Sequence, residues 1–477
     1  MKGAVQAAHP AFDRESAVNA LLFAILVLVL PFALASSPTI FNDGDVSWHV
    51  AAGQWIVADG TIPTTDPFSF TAAGHPWVVT EWLADVMLGS AYRIAGYAGL
   101  ATIVAAAMMA LHGLIFFFLR RRAGPLTIAA TLLATDFVLI PFTLARPHVA
   151  VWPLIAGWTI LLLTADEEGR APPLWGALIP LLWTNLHGSF LIAGPIGAAV
   201  AFDALQKTNW CNWRPWALFA LCSAAAALLN ANGLRGLLRP FEMENLALLP
   251  LVQEWQPSTI QWMPQYYAVL GIALLALLYK GVRIPIGRLL LLLAMAGMAF
   301  SEARHQSWFI IVAACIVPPL LETKASPTPT ARWLPYAAIP LLMVRALWPV
   351  VPAENGANPR HAIAAIPPSL RGQPLFNGYS FGGPLILAGI RPYIDGRADM
   401  YGDAFVLDYS RILDGNMGRF DAVVRQYGIR WTMLPARSAL ARALDSSPEW
   451  KRTYADRVGV IHVRRDRAGV GPGSEGR

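Results

Sequence analysis

The sequence predicts an all-α polytopic membrane protein with a small α/β domain at its C-terminal end. Three observations predict it. Of 477 residues, 56% are hydrophobic and only 14% are charged, whereas a soluble chain carries about a quarter charged residues. The apolar residues fall into continuous runs rather than alternating ones, which is the helical way to cross a bilayer and not the barrel way. From about residue 353 the hydrophobic density drops and the Pro-rich linker "VPAENGANPRHAIAAIPP" begins, followed by alternating strand-like and helix-like pieces.

A crossing needs about 20 mostly apolar residues. By that criterion the candidate spans are 19–36, 98–119, 125–144, 147–164, 172–186, 188–205, 214–230, 265–279, 286–301, 305–322 and 332–351, about eleven in all. The first is read as an uncleaved helix rather than a signal peptide, because the segment before it is long and carries Asp13 and Glu15 around Arg14. Lys and Arg in short loops set the orientation. With the N-terminus in the cytoplasm, the loops 120–124, 166–170, 206–214, 280–283 and 322–332 fall inside, and all but the acidic 166–170 are net basic. The loops 37–97, 145–148, 187, 231–264 and 302–305 then fall outside, together with the tail. This parity requires that "WLADVMLGSAYRIAG" (82–96), which holds Asp85 and Arg93, lies in the interface as an amphipathic helix instead of crossing.

The tail beyond residue 352 is read as a separate outer domain, 353–477, and the segment 1–352 as the transmembrane domain. In the tail "QPLFNG", "RPYIDG", "IRWTML" and "VGVIHV" read as strands. "FVLDYSRIL", "GRFDAVVRQYG" and "SALARALDSS" read as helices. The last dozen residues, rich in Gly and Arg, read as disordered. Cys211, Cys222 and Cys315 have no metal or redox spacing and imply no disulfide framework. A net charge of +6 comes with no nucleic-acid motif, so no nucleic-acid partner is expected.

The stretch "FNDGDVSWHVAAGQWIVADG" (41–60) follows the first span directly. Read as a helix from residue 45, it places Asp45 and His49 on one face, four residues apart. Trp48 and Trp55 flank that face and suit a membrane surface. N-capping accounts for one Asp, but not for Asp43, Asp45 and His49 together. The loop continues through the turn "TTDPFS", with Asp66, to "EWLADV", where Glu81 opens a second helix.

A first helix followed by a long outer loop with two interfacial helices and an acidic motif resembles the GT-C glycosyltransferases, among them the oligosaccharyltransferase catalytic subunits, the protein O-mannosyltransferases and the lipid A aminoarabinose transferases. The chain also resembles a bacterial membrane-protein family with D-x-D-x-x-W-H, T-D-P-F-S, E-W-L, R-P-H, N-L-H-G and I-D-G-R, all of which it carries. The resemblance implies an inverting, polyprenyl-phosphate-sugar-dependent transferase at the outer face of the bacterial cytoplasmic (inner) membrane. Its partners would be a polyprenyl-phosphate-linked sugar donor, membrane lipids and a glycan, lipid or protein acceptor. The second outer loop, "LARPH", has no carboxylate, and the tail has no W-W-D-Y-G string, so transfer to Asn is not expected. No metal site is assigned, and a divalent cation (Mg or Mn) beside the Asp pair stays open.

Such a transfer needs a base for the acceptor hydroxyl and cations for the departing phosphate. Asp45 is the candidate base, with Asp43 and His49 as helpers. The candidate substrate-binding residues are Arg146, His148, His187, Arg235, Arg304 and His305 at outer helix ends, with Glu81, Asp66, Asp395 and Arg397 beside them. For Asp395 and Arg397, within "IDGRADMYGD", a salt-bridged loop after a strand is placed slightly ahead of acceptor or sugar binding. Two other functions compete. A lipid-linked-glycan transporter or flippase should show repeat symmetry and broken helices, which this sequence lacks. A non-catalytic membrane scaffold would not need the Asp43–Asp45–His49 group.

Overall fold

The structure is a computed structural model that describes residues 14–243, 246, 253–322 and 334–465. The Gly- and Arg-rich end expected to be disordered, and nearly all of the basic 322–332 loop, lie outside the described residues. Contacts divide the chain into two compact units. One comprises Met1–Ser37, Ala91–Pro240 and Pro250–Val350, and the other Pro38–Ser90, Phe241–Leu249 and Val351–Arg477. The loop after the first helix therefore clusters with the C-terminal segment.

The first unit is helical. Among the described residues, six helices are long and apolar enough to cross a membrane: Ala17–Ala35, Trp82–Leu119, Pro125–Phe142, Pro147–Glu167, Gly188–Lys207 and Ala303–Leu321. Leu174–Leu186, Ile286–Ser301 and Leu334–Leu347 are shorter apolar helices, and Trp213–Ala227 and Pro264–Lys280 have 15 and 17 residues. Each of the eleven apolar runs thus holds a helix. Trp82–Leu119 is two helices in one. Ala95 (φ −138°) and Gly96 (φ 57°) leave helical geometry, and the positive φ falls on the residue that tolerates it. The break separates the segment with Asp85 and Arg93 from the apolar run after it.

Ion pairs gather the loops of the first unit into two sets. Arg122 pairs with Glu167, and Lys207 Nζ lies 2.7 Å from Asp166 Oδ1. Arg288, buried, also pairs with Asp166, and Glu322 accepts from the Gly124 N–H at 2.6 Å. Five loops are joined in this way: those near 122, 167, 207, 285 and 322. They are the five that loop charge groups on one side. The acidic loop that breaks the basic pattern has Asp166 and Glu167 neutralised within this set. In the other set Arg146 pairs with Glu254, the Ala303 N–H donates to the Gln256 carbonyl, and His148 faces His187. Buried cations need such partners, since breaking a buried pair costs about 3–5 kcal/mol.

The second unit is built on a four-stranded sheet in the order β1-β2-β4-β3, with β1 Leu375–Asn377, β2 Trp431–Pro435, β3 Trp450–Ala455 and β4 Gly459–Arg464. β1 and β2 run parallel, and β2–β4 and β3–β4 antiparallel. Helices Asp403–Leu413, Met417–Tyr427 and Ala439–Asp445 form where expected. One strand is unanticipated and one expected strand fails. "WKRTYA" is a strand, exposed along most of its length, so its polar face hides it from a hydrophobic pattern. "RPYIDG" is not a strand. The buried Asn377 amide takes the place of a neighbouring strand, accepting from the Tyr393 N–H at 2.8 Å and donating to the Ile394 carbonyl at 2.8 Å. Helix Asp45–Asp59 packs against Gly382–Leu387 in this unit.

Candidate active site

In the second unit, the first turn of helix Asp45–Asp59 is pressed against a glycine of the "IDGR" segment. A Cβ on Gly396 would lie 1.7 Å from Asp45 Oδ1, so only glycine leaves room for that carboxylate. Asp43 Oδ1 accepts from the Asp45 N–H at 2.8 Å. Asp43 is thereby a cap for the turn that presents Asp45. Both side chains are partly exposed. The Tyr379 hydroxyl donates to the Gly396 carbonyl at 3.1 Å and fixes the glycine wall. Burial, then Asp45, Asp395, Asp399 and Asp43, push the Tyr379 pKa well above the usual phenol range, so it stays a neutral donor.

His49 turns from Asp45 to a second pair of carboxylates. Its Nδ1 lies 2.7 Å from Asp85 Oδ1, its Nε2 3.7 Å from Glu81 Oε2, and it is buried. The helices cross closely here, because a Cβ on Gly53 would meet the Asp85 carbonyl oxygen at 1.7 Å. Trp48 stacks on His49 with 3.6 Å between ring centroids and meets Trp77 edge-on. Trp48 therefore anchors the helix to protein. Asp85 could have been found in the sequence, since it shares a helical face with Glu81 four residues before it.

Asp66, Asp395 and Arg397 form one buried group. Arg397 Nε and Nη2 donate to Asp395 Oδ1 and Oδ2 at 2.8 and 2.7 Å, and Nη1 donates to Asp66 Oδ1 at 2.7 Å. Its guanidinium also lies 4.6 Å from the Trp77 ring centroid. Asp395 accepts further from the Tyr401 hydroxyl at 2.7 Å, and Asp66 from the Phe68 and Ser69 N–H groups. Burial opposes the Asp395 charge, but Arg397 overcomes it and holds the carboxyl below its usual range. This is the geometry of the salt-bridged loop.

In the first unit, Arg146, His148, His187 and Arg304 are brought together with Glu254. Arg146 is extended (φ −121°) just before Pro147 opens its helix, a conformation that a following proline favours. Its Nη1 lies 3.3 Å from Glu254 Oε2. The Arg304 guanidinium lies over the Trp255 ring, 4.0 Å from the centroid, and among the described residues it has no ion pair or hydrogen bond. Burial works against the Glu254 charge, but Arg146 and Arg304 more than offset it and bring the pKa to about 2. His148 Nε2 is 2.7 Å from the Phe142 carbonyl oxygen, and its ring centroid is 6.3 Å from that of His187. His187 Nδ1 accepts from the Ser189 N–H at 3.1 Å. Burial, then His148, Arg304 and Arg146, hold His187 well below its usual range, so it is neutral. His305 turns away to the Met298 carbonyl at 3.2 Å and Glu302 at 3.6 Å. Arg235 is exposed on Leu234–Met243. Glu254 and Trp255 have no signal in the sequence, since no spacing ties them to Arg146 or Arg304.

No known family description matches this chain, and no curated protein does. Among solved structures, ArnT from Cupriavidus metallidurans bound to undecaprenyl phosphate is similar over 95% of this chain and 99% of that chain, with a TM-score of 0.53 and 12% identity. At that identity the likeness is one of fold. The chain shares the ArnT-like GT-C fold of that structure.

Proposed function

We propose that this protein is a membrane glycosyltransferase that moves a sugar from a polyprenyl-phosphate carrier to an acceptor hydroxyl at the outer face of the bacterial inner membrane, with about eleven spans. The observation that carries the reading is Arg304. It is a cation stacked on Trp255 without an ion pair among the described residues, beside Arg146, Glu254 and a neutral His187. A guanidinium that keeps its donors suits an anion. The ligand in the solved ArnT structure is a polyprenyl phosphate, which fits that charge.

Arg304 and Arg146 hold the carrier phosphate, with His148 and His187 as neutral hydrogen-bonding neighbours. Asp45 takes the proton of the acceptor hydroxyl. The acceptor oxygen bonds to the anomeric carbon, the bond from that carbon to the phosphate oxygen breaks, and the carrier phosphate leaves with the electron pair. Attack opposite the leaving group inverts the anomeric centre. Asp43 shapes the turn that presents Asp45. His49 acts on Glu81 and Asp85 instead of on the acceptor.

The test is Asp45→Asn. Asn caps a helix about as well as Asp, so folding should persist. Release of carrier phosphate from a polyprenyl-phosphate sugar, in membranes that hold the native acceptor, should fall by about 10²-fold or more. Near-normal release would remove the base assignment.

A further inference from the structure

Where the C-terminal part of the second unit begins, a Glu, a His and an Asp meet. Glu354 precedes the short helix Arg360–Ala364, His361 is the second residue of that helix, and Asp456 lies in the turn between β3 and β4. Each offers one donor atom, and these atoms lie within 4.8 Å of one another. Among the described residues no other three His, Cys, Asp or Glu side chains do so.

Local structure explains part of the group. Glu354 Oε2 accepts from the His361 N–H at 3.2 Å. Asp456 Oδ1 closes its turn by accepting from the Val458 and Gly459 N–H groups at 2.7 and 2.8 Å. The Tyr454 hydroxyl donates to Asp456 Oδ2 at 2.6 Å. None of this explains Glu354 Oε1, which is buried and has no hydrogen-bond partner among the described residues. A buried carboxylate oxygen left unsatisfied is costly. The imidazole does not satisfy it, since His361 Nδ1 lies 3.7 Å from the other oxygen, Oε2.

We propose that Glu354, His361 and Asp456 bind a divalent transition-metal ion, zinc by preference, which staples the segment entering the C-terminal part to the β3–β4 turn. One imidazole nitrogen and two carboxylate oxygens are ligands that zinc takes at about 2.0–2.2 Å, and a tetrahedral ion so held spaces its ligands about 3.4 Å apart. The His361 side chain is 69% exposed, so it can swing the remaining distance. Two carboxylates with a neutral imidazole carry the charge that a divalent ion balances. Tyr454 orients Asp456 from behind, as outer hydrogen-bond partners do at metal sites. Three protein ligands leave a fourth position for water.

The test uses full-length protein purified on a tag without histidine, stripped with EDTA, and exposed to zinc chloride or manganese chloride. Elemental analysis after desalting should find one equivalent of zinc, held more tightly than manganese, with a raised Tm. His361→Ala changes an exposed side chain, so it should fold and lose the bound zinc, as should Glu354→Gln. Tyr454→Phe should weaken binding by about 10-fold. Zinc kept by His361→Ala at wild-type stoichiometry, or no zinc kept by the wild type at micromolar concentration, overturns the proposal.

Discussion

Arg397 and Arg304 are both arginines lying on aromatic rings, and they differ in what else they touch. Arg397 spends Nε, Nη1 and Nη2 on Asp395 and Asp66 and is 2% exposed. The Arg304 guanidinium has a tryptophan beneath it and no ion pair or hydrogen bond among the described residues. The same residue type thus serves two purposes. A buried guanidinium whose donors are matched to carboxylates holds structure together. One that keeps its donors is poised for an anion from outside the chain. On that basis Asp66, Asp395 and Arg397 read as scaffold, and Arg304 is the arginine that the proposed function turns toward a ligand.

The largest effect should come from Arg397→Ala. It leaves two buried carboxylates without their cation and should destabilise the second unit by about 3–5 kcal/mol, read as a lower Tm or failed expression. Arg397→Lys should rescue little, because an ammonium cannot reproduce a fork over Asp395 that also reaches Asp66. A fully stable Arg397→Ala would erase the contrast between the two arginines.

A smaller effect is expected from Gly396→Ala. The new methyl overlaps Asp45 Oδ1, so the carboxylate must swing aside, at an overpacking cost of about 1–3 kcal/mol. Transfer should fall about as far as in Asp45→Asn, by about 10²-fold. Wild-type transfer by Gly396→Ala would show that the position of Asp45 is irrelevant.

Smaller again is an acid effect from Glu254. Its folded pKa, about 2, lies below the ordinary value of 4.5. A depressed carboxyl pKa contributes stability that is fully present above the unfolded value and is lost as pH falls through the folded one. Tm measured from neutral to acid pH should therefore show a Glu254 contribution that fades between about pH 4.5 and about pH 2. Glu254→Gln should lack that slope. An identical slope in both proteins would place the acid sensitivity elsewhere.

Much of this arrangement was legible in the sequence. Long apolar runs marked the eleven apolar helices described in the first unit, because burial in lipid leaves no other pattern. Loop charge sorted the loops into the two sets that Asp166–Lys207 and Arg146–Glu254 now represent, since a helix that runs end to end forces alternation. Arg146, His148, His187 and Arg304 fall in one of those sets for the same reason. What sequence could not give was partnership across long separations. Asp66 and Arg397 are 331 residues apart, and nothing local in "TTDPFS" announces "IDGR". His49 was read with Asp45 because periodicity sees one helix at a time, whereas its contact is with Asp85 on another. Tyr379 was invisible because its role depends on the glycine wall it supports.

The central claim is that the Arg304–Arg146 group holds a carrier phosphate, and the most direct test is equilibrium binding of undecaprenyl phosphate to the wild type and to Arg304→Ala in detergent micelles. Arg304 makes no ion pair among the described residues, so its loss removes the stacking on Trp255 and its support of the Glu254 charge, about 0.5–2 kcal/mol of stability, and the protein should stay folded. Loss of a hydrogen bond to a charged phosphate should cost about 1.5–3 kcal/mol of binding, which is about a 10- to 150-fold weaker affinity. Equal affinity in the two proteins, with both folded, would contradict the account.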